Sequence, residues 1–155
     1  MGLKSSAITV AGLGSAALLA GAFAFQYIGG LHPCQLCLWQ RWPHAAAVVI
    51  LLAWAVTRWR IWPWLGALAA LATAGIGFFH AGVEQGWWEF ASTCTQGSVA
   101  GISASDLMNP GLASAPVIRC DAIAWSFIGL SMAAWNAIAS LGLAFLWLFA
   151  ASRRD

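Results

Sequence analysis

Long stretches of this chain carry no formal charge. No Asp, Glu, Lys or Arg occurs between Lys4 and Arg41, and further uncharged windows cover residues 42–57, 61–83 and 122–152. A helix that crosses the hydrocarbon core of a bilayer needs about 20 mostly apolar residues. Three of the four windows are long enough to hold such a helix, which indicates an integral membrane protein.

The composition excludes the main alternatives to a membrane protein. Charged residues make up 8% of the 155 residues and apolar residues 61%, whereas a soluble domain carries about 25% charged residues. This argues against a soluble globular domain and against a disordered chain. The formal net charge of +2 is also too small for a surface that binds a polyanion, so no nucleic-acid partner is expected.

The window at residues 42–57 is too short to span a bilayer alone, because it rises only about 24 Å as a helix. The second helix must therefore begin near Cys34 and carry Arg41 inside the span. The sequence predicts an all-α integral membrane protein, a single membrane domain over residues 1–155 with a long cysteine-bearing loop at approximately 84–131 between helices 3 and 4. This is a four-transmembrane-helix bundle with spans at approximately 5–28, 34–57, 61–83 and 132–151.

The basic residues predict the orientation of these helices. Five of them precede the first span, occupy the second connection or follow the last span, namely Lys4, Arg58, Arg60, Arg153 and Arg154. The positive-inside rule places such residues in the cytoplasm. Both termini are then expected in the cytoplasm, and all four cysteines on the opposite, oxidising face of the membrane.

The four cysteines form two differently spaced pairs. Cys34 and Cys37 form a C-x-x-C directly after Pro33, a residue favoured in the first turn of a helix, where the helix dipole favours a thiolate. The position after Cys37 is Leu, which excludes a c-type haem site, and no second C-x-x-C is present for a zinc ribbon. We therefore interpret this pair as redox-active. Cys94 and Cys120 lie far apart in the loop, and on their own they favour a structural disulfide over a redox pair.

Two polar positions inside the spans suggest a ligand site. Arg41 follows Cys37 by four residues, so both side chains share one face of the helix. Arg41 is either a snorkelling arginine or a fixed cation that stabilises the Cys37 thiolate and attracts a polar ligand headgroup, and its spacing favours the second interpretation. His80 precedes Glu84 by one helical turn, which suits either a proton relay or a structural hydrogen bond.

Three further polar residues receive a simpler interpretation. We expect His32 and His44 to lie at the membrane interface. Asn136, near the start of the fourth span, is expected to bridge neighbouring helices.

Taken in order, these residues resemble the family of disulfide-bond formation protein B (DsbB). The segment PCQLCLWQR, from Pro33 to Arg41, looks like the signature of that family. Cys120 and Asp121, followed by several aromatic residues and a Gly-Leu, look like its run into the last helix. The resemblance covers essentially the whole chain. One departure is Gln40, since members of the family often carry Glu before this arginine, so either no carboxylate is required there or the site is tuned differently.

The resemblance implies an activity and a set of partners. It implies a protein-disulfide oxidoreductase of the bacterial inner membrane that reoxidises a periplasmic DsbA-like thiol oxidase and passes the electrons to the membrane quinone pool. Cys94 and Cys120 match the loop pair that exchanges with the partner, and Cys34 and Cys37 match the pair that reduces the quinone. In the family the later loop cysteine bonds to the Cys34 position, so Cys94 would meet the partner.

The resemblance also implies quinone-binding residues, namely Cys37, Arg41 and His80. The quinone itself is either ubiquinone or menaquinone, and no metal is assigned to the site. Two alternatives remain: a vitamin K epoxide reductase-like thiol/quinone enzyme, whose C-x-x-C lies in a later helix, and a membrane protein that binds a metal through Cys and His. A structural membrane protein with two inert disulfides would leave Arg41 unexplained.

Overall fold

Four long helices dominate the fold of the chain. The computed structural model describes residues 2–90 and 119–153, so Cys94 and Arg154 lie outside the described residues. The helices are α1 (Leu3–Tyr27), α2 (Gln35–Thr57), α3 (Trp62–Glu84) and α4 (Met132–Ser152). Each is long and apolar enough to cross a membrane. The chain is therefore a multi-pass membrane protein, and the predicted four-helix fold class is confirmed.

A small hairpin precedes α4 and was not predicted from the sequence. Strand β1 (Ser126–Phe127) pairs antiparallel with β2 (Leu130–Ser131) across a two-residue turn. The turn residues Ile128 and Gly129 both have positive φ, 52° and 76°, as a tight hairpin turn requires. Strands of two residues are too short to show an alternating sequence pattern, which explains why the hairpin was missed.

The hairpin is fixed to the start of α4 by side-chain hydrogen bonds. The indole Nε1 of Trp135 donates to the main-chain oxygen of Phe127 at 3.0 Å. Ser131 caps α4, because its side chain accepts from the main-chain N–H of Ala134. The hairpin therefore holds Phe127 and the residues before it over one end of the bundle.

The helices form a closed bundle in which α1 and α3 occupy opposite corners. Helix α3 packs against α2 and α4, and α1 packs against the same two helices. Short connections make α1, α2 and α3 successively antiparallel. Helix α4 runs antiparallel to α3, since Gly66 faces Trp147 and Gly77 faces Ala133. The start of α1, the connection between α2 and α3, and the end of α4 therefore lie at one end of the bundle, and Cys34 lies at the other.

Small residues allow the helices to approach closely in the half of the bundle away from Cys34. The buried residues there are mostly alanines packed around two tryptophans, and comprise Ala7, Ile8, Ala11, Trp54, Ala67, Ala70, Ala144, Trp147 and Ala150. Trp147 is fully buried, and a Cβ atom on Gly66 would lie 2.4 Å from its indole ring. Because lipid tails are as apolar as this core, such close packing is a main source of helix association.

We expect Gly66→Ala to lower the free energy of unfolding by about 1–3 kcal/mol, because the added methyl group would overlap the Trp147 ring. The matched control is Gly75→Ala in the same helix, since a Cβ there meets no atom within 4 Å. Both values can be measured by reversible unfolding in mixed detergent micelles. Equal stability of the two variants would contradict the close contact between α3 and α4.

Candidate functional site

Cys34 caps helix α2 and places both thiols of the C-x-x-C at the helix N-terminus. Its backbone is extended, with φ −74° and ψ 173°, and its Sγ accepts from the main-chain N–H of Cys37 at 3.3 Å. The sulfur thus occupies the position of an N-cap oxygen. Cys34 Sγ also donates to Cys37 Sγ at 3.1 Å, and the two residues are not joined by a disulfide. The helix dipole favours negative charge at this position.

The pKa of the Cys34 thiol is raised well above its ordinary value. The largest cause is the hydrogen bond that Cys34 donates to Cys37, and burial is the second. Cys34 is only 5% exposed. Of the two sulfurs, Cys34 is therefore the one that keeps its proton in the reduced pair.

His80 and Glu84 of α3 approach the same sulfur. His80 Nε2 lies 3.5 Å from Cys34 Sγ and 3.8 Å from Glu84 Oε1. The side chains of His80 and Glu84 are only 4% and 5% exposed. The helical spacing of the two residues therefore does bring them together, beside the C-x-x-C.

Cys120 packs beside Cys34 at this end of the bundle. Both cysteines belong to one buried cluster with Leu36 and Val83, and Cys120 is fully buried. The flanking residues Arg119 and Asp121 form a two-point ion pair with N–O distances of 2.9 and 2.5 Å. The hydrogen bond from Arg119 lowers the pKa of the Asp121 carboxyl. One cysteine of the loop pair thus lies at the C-x-x-C, whereas Cys94 lies outside the described residues.

Arg41 is held inside the bundle by α1. Its Nη1 donates to Gln26 Oε1 at 2.5 Å and its Nη2 to the main-chain oxygen of Ala22 at 3.4 Å. The guanidinium also lies 4.9 Å from the centre of the Phe23 ring. Its buried Nε has no hydrogen-bond partner among the described residues. Arg41 therefore faces the protein interior, and its Nε donor is not used by the described residues.

A buried network of polar side chains joins α2, α3 and α4, and sequence reasoning largely missed it. Asn136 donates to Gln40 Oε1 at 2.7 Å and to Thr73 Oγ1 at 3.1 Å, while its Oδ1 lies 2.9 Å from His44 Nε2. Gln40 Nε2 lies 2.9 Å from His80 Nδ1. The expectation that Asn136 bridges helices is confirmed.

The interfacial placement of His44 is wrong, because this residue is only 3% exposed. It is buried because Asn136 and Thr73 give its Nε2 hydrogen-bond partners inside the bundle. One sequence signal does point to it. Cys37, Gln40, Arg41 and His44 recur at the spacing of one helical face, in a span that is otherwise mostly apolar.

These groups line a cavity of about 670 Å³ to which all four helices contribute, α3 through His80 and Glu84. Its size is that of a typical small-molecule site, which combines an apolar wall with a few polar groups. The apolar wall comes from residues such as Leu18, Phe25, Trp125, Phe127, Met132 and Trp135. The polar groups are contributed by Cys34, Cys37, Gln40, Arg41, His44, His80, Glu84 and Asn136, with Arg119 at the same end.

The C-x-x-C region also has a geometry that could hold a metal ion. One ligand atom from each of Cys34, Cys37 and His80 lies within 4.8 Å of the others. These are the ligand types that zinc and other thiophilic ions prefer. A Cys/His metal site therefore has a geometric basis.

Comparisons with known proteins place the chain in a family. Residues 4–150 match the family model "Disulfide bond formation protein DsbB". Proteins named "Disulfide bond formation protein B" are 35% identical in Methylococcus capsulatus, over 83% of this chain and 82% of that protein. In Xanthomonas oryzae pv. oryzae the identity is 34%, over 90% of this chain and 84% of the relative. No solved structure matches significantly.

The chain therefore belongs to the DsbB family, as the resemblance of its motifs predicted. Membership supports disulfide bond formation by an oxidoreductase within a membrane. Because residues 4–150 match the DsbB family model, the alternative of a vitamin K epoxide reductase-like enzyme is not retained.

We expect Cys37→Ala to lower the pKa of Cys34, because the substitution removes the sulfur that accepts the Cys34 hydrogen bond. A raised pKa means less thiolate at a given pH, so alkylation of Cys34 in the reduced wild type should be slow at neutral pH. In Cys37→Ala the alkylation rate should rise severalfold, and its pH profile should shift to lower pH. Peptide mapping by mass spectrometry after timed alkylation gives the rate for Cys34 alone.

Leu38→Ala, at an exposed neighbouring position, controls for general loosening of the helix start. Identical pH profiles for Cys34 in the wild type and in Cys37→Ala would show that the hydrogen bond between the sulfurs does not set its reactivity.

Proposed function

We propose that this chain is a quinone-dependent thiol oxidase, which reoxidises a periplasmic DsbA-like dithiol protein and passes the electrons to a membrane quinone. The observation that carries the proposal is the shared cavity wall. Cys37 and Arg41, one helical turn apart, line a largely apolar cavity directly beside the Cys34 thiol. A redox pair, a cation and a ligand-sized space thus meet at one end of a membrane bundle.

The proposed orientation places this end at the periplasmic face of the bacterial inner membrane, with both termini in the cytoplasm. Lys4, Arg58, Arg60 and Arg153 all belong to the opposite end of the bundle. This segregation of positive charge supports a cytoplasmic location for that end. The cysteines would then face the compartment in which disulfides form.

The position of Cys120 supports electron transfer by thiol–disulfide exchange. In the proposed cycle the partner dithiol reduces the disulfide between Cys94 and Cys120 and is itself oxidised. The Cys120 thiolate then attacks Cys34 Sγ, a mixed disulfide forms, and Cys37 leaves as a thiolate. Burial of Cys34 and Cys120 in one cluster supports this choice of attacked sulfur.

The surroundings of Cys37 favour it as the leaving sulfur. Its position in the first turn of α2 places it where the helix dipole stabilises negative charge. The fixed positive charge of Arg41 is one turn away on the same face. Attack of Cys94 on Cys120 then releases Cys34, which leaves the loop disulfide restored and Cys34 and Cys37 reduced.

The cavity fits a quinone headgroup. Its volume of about 670 Å³ suits a ring with part of an isoprenoid tail, and its wall is mainly apolar. The unused Arg41 Nε donor suits a carbonyl oxygen or a developing anion. When bound, the quinone would supply an acceptor for the two electrons and two protons that the Cys34–Cys37 dithiol loses as it becomes a disulfide. Cys37, Arg41 and His80 remain the proposed quinone-binding residues.

A metal-binding function is the second candidate, because Cys34, Cys37 and His80 can converge on one ion. It predicts stoichiometric zinc or copper in the purified protein, and thiols that stay reduced in its presence. The cavity and Arg41 have no role in such a site, and for this reason we favour the oxidase.

Purified protein is expected to oxidise a reduced DsbA-like partner while consuming ubiquinone-1 or a menaquinone analogue. Cys34→Ser and Cys37→Ser should each abolish this turnover, since either substitution prevents the disulfide that transfers the electrons. Loss of quinone absorbance in the ultraviolet measures the rate. Wild-type protein that turns over neither quinone type, or turnover that survives either substitution, would refute the proposal.

Arg41→Ala should raise the apparent quinone KM about tenfold or more, because a charged hydrogen-bond donor is removed from the cavity wall. The matched control is Arg58→Ala. Arg58 also lies over an aromatic ring, that of Trp54 at 4.2 Å, but at the other end of the bundle. Equal KM values for the two variants would make the role of Arg41 structural.

A further inference from the structure

In the buried network of Gln40, His44, Thr73 and Asn136, two bonds end on main-chain carbonyl oxygens. Because a carbonyl oxygen can only accept, these two bonds determine which of the other atoms donate and which accept. Thr73 Oγ1 lies 3.2 Å from the carbonyl oxygen of Gln40 and donates its one proton there. Its oxygen must therefore accept from its other neighbours, Asn136 Nδ2 at 3.1 Å and His44 Nε2 at 3.2 Å. His44 Nε2 accordingly carries a proton.

A second carbonyl leads to the same assignment. Gln40 Nε2 donates to the carbonyl of Leu36 at 3.3 Å, so Gln40 Oε1 is the atom that accepts from Asn136 Nδ2 at 2.7 Å. Asn136 Oδ1 then faces His44 Nε2 at 2.9 Å and accepts from it. Two independent anchors thus give the same tautomer of His44. In the neutral ring, Nδ1 is a bare acceptor.

That acceptor is not used by the protein. His44 Nδ1 is buried and has no hydrogen-bond partner in residues 2–90 or 119–153. The residue is only 3% exposed, and it lines the cavity three positions after Arg41. A charged ring is costly at this depth, which favours the neutral form. A buried acceptor without a donor is also costly, and a ligand with a hydroxyl group would remove this cost.

We propose that His44 Nδ1 accepts a hydrogen bond from the hydroxyl of a hydroquinone bound in the cavity, and so makes the site prefer the reduced ligand. This inference rests on the proposed function. Quinone oxygens are acceptors only, whereas hydroquinone hydroxyls are donors. Arg41 can donate to an oxygen of either form, whereas His44 Nδ1 can accept only from the reduced form. Glu84 Oε2 is a second buried acceptor on the cavity wall without a partner among the described residues, so the assignment to His44 is tested by substitutions of His44 alone.

A preference of the site for hydroquinone over quinone changes the reduction potential of the bound couple. Tighter binding of the two-electron-reduced ligand raises the reduction potential of the bound couple, by about 30 mV for each tenfold ratio of dissociation constants. His44 thereby makes the electron acceptor of the Cys34–Cys37 dithiol a stronger oxidant.

The test compares the dissociation constants of ubiquinol-1 and ubiquinone-1 in the full chain carrying Cys34→Ser and Cys37→Ser, which prevents electron transfer. Anaerobic quenching of tryptophan fluorescence reports binding, because Trp125 and Trp135 line the cavity. Adding His44→Gln keeps an amide N–H near the Nε2 position and deletes the Nδ1 acceptor. We expect the ubiquinol-1 dissociation constant to rise about tenfold and that of ubiquinone-1 to change little.

Two further variants separate this role from a structural one. His44→Asn places an amide oxygen near the Nδ1 position and should retain the preference for ubiquinol-1. Ser140→Ala removes a buried hydroxyl in α4 that does not line the cavity, and should alter neither constant. A ratio of constants that His44→Gln leaves unchanged overturns this inference alone. Absence of binding of either ligand to the parent overturns the proposed function and this inference together.

Discussion

The whole arrangement depends on one constraint, which is that polar atoms inside a bilayer must find their partners within the protein. The apolar outer faces of the helices offer no such partner. The side chain of Asn136 is hydrogen-bonded to Gln40, Thr73 and His44. These bonds hold α4 against α2 and α3. The same bonds orient the side chains along one edge of the cavity. Structure and site are therefore held by one set of hydrogen bonds.

One half of the bundle is tightly packed and stabilises the fold, and the other half contains the cavity and the cysteines. In the half that carries the basic ends, alanines and Trp147 pack without polar partners and hold the helices together. In the other half, the wall opens into a cavity and the polar groups collect there. Close packing in the first half allows the second to contain space and unused hydrogen-bonding atoms, such as Arg41 Nε.

The fold and part of the site follow from the sequence because the underlying signals are local. Uncharged windows set the four helices, and the spacing of Cys37 and Arg41 places them on one face. The depth of His44 did not follow, because its burial depends on Asn136, which is distant in sequence and reaches it only in the folded bundle. The hairpin before α4 was missed for a different reason, since its order comes from a turn and from the Trp135 indole.

In the proposed reaction, the Cys34–Cys37 dithiol gives its electrons to a quinone in the adjacent cavity. The most direct measurement mixes fully reduced protein anaerobically with one equivalent of ubiquinone-1, in the absence of any partner, and then quenches with acid. We expect one ubiquinol-1 to form for each Cys34–Cys37 disulfide, both quantified by mass spectrometry. Quinone that remains oxidised, or a disulfide that forms between other cysteines while Cys34 and Cys37 stay reduced, would contradict it.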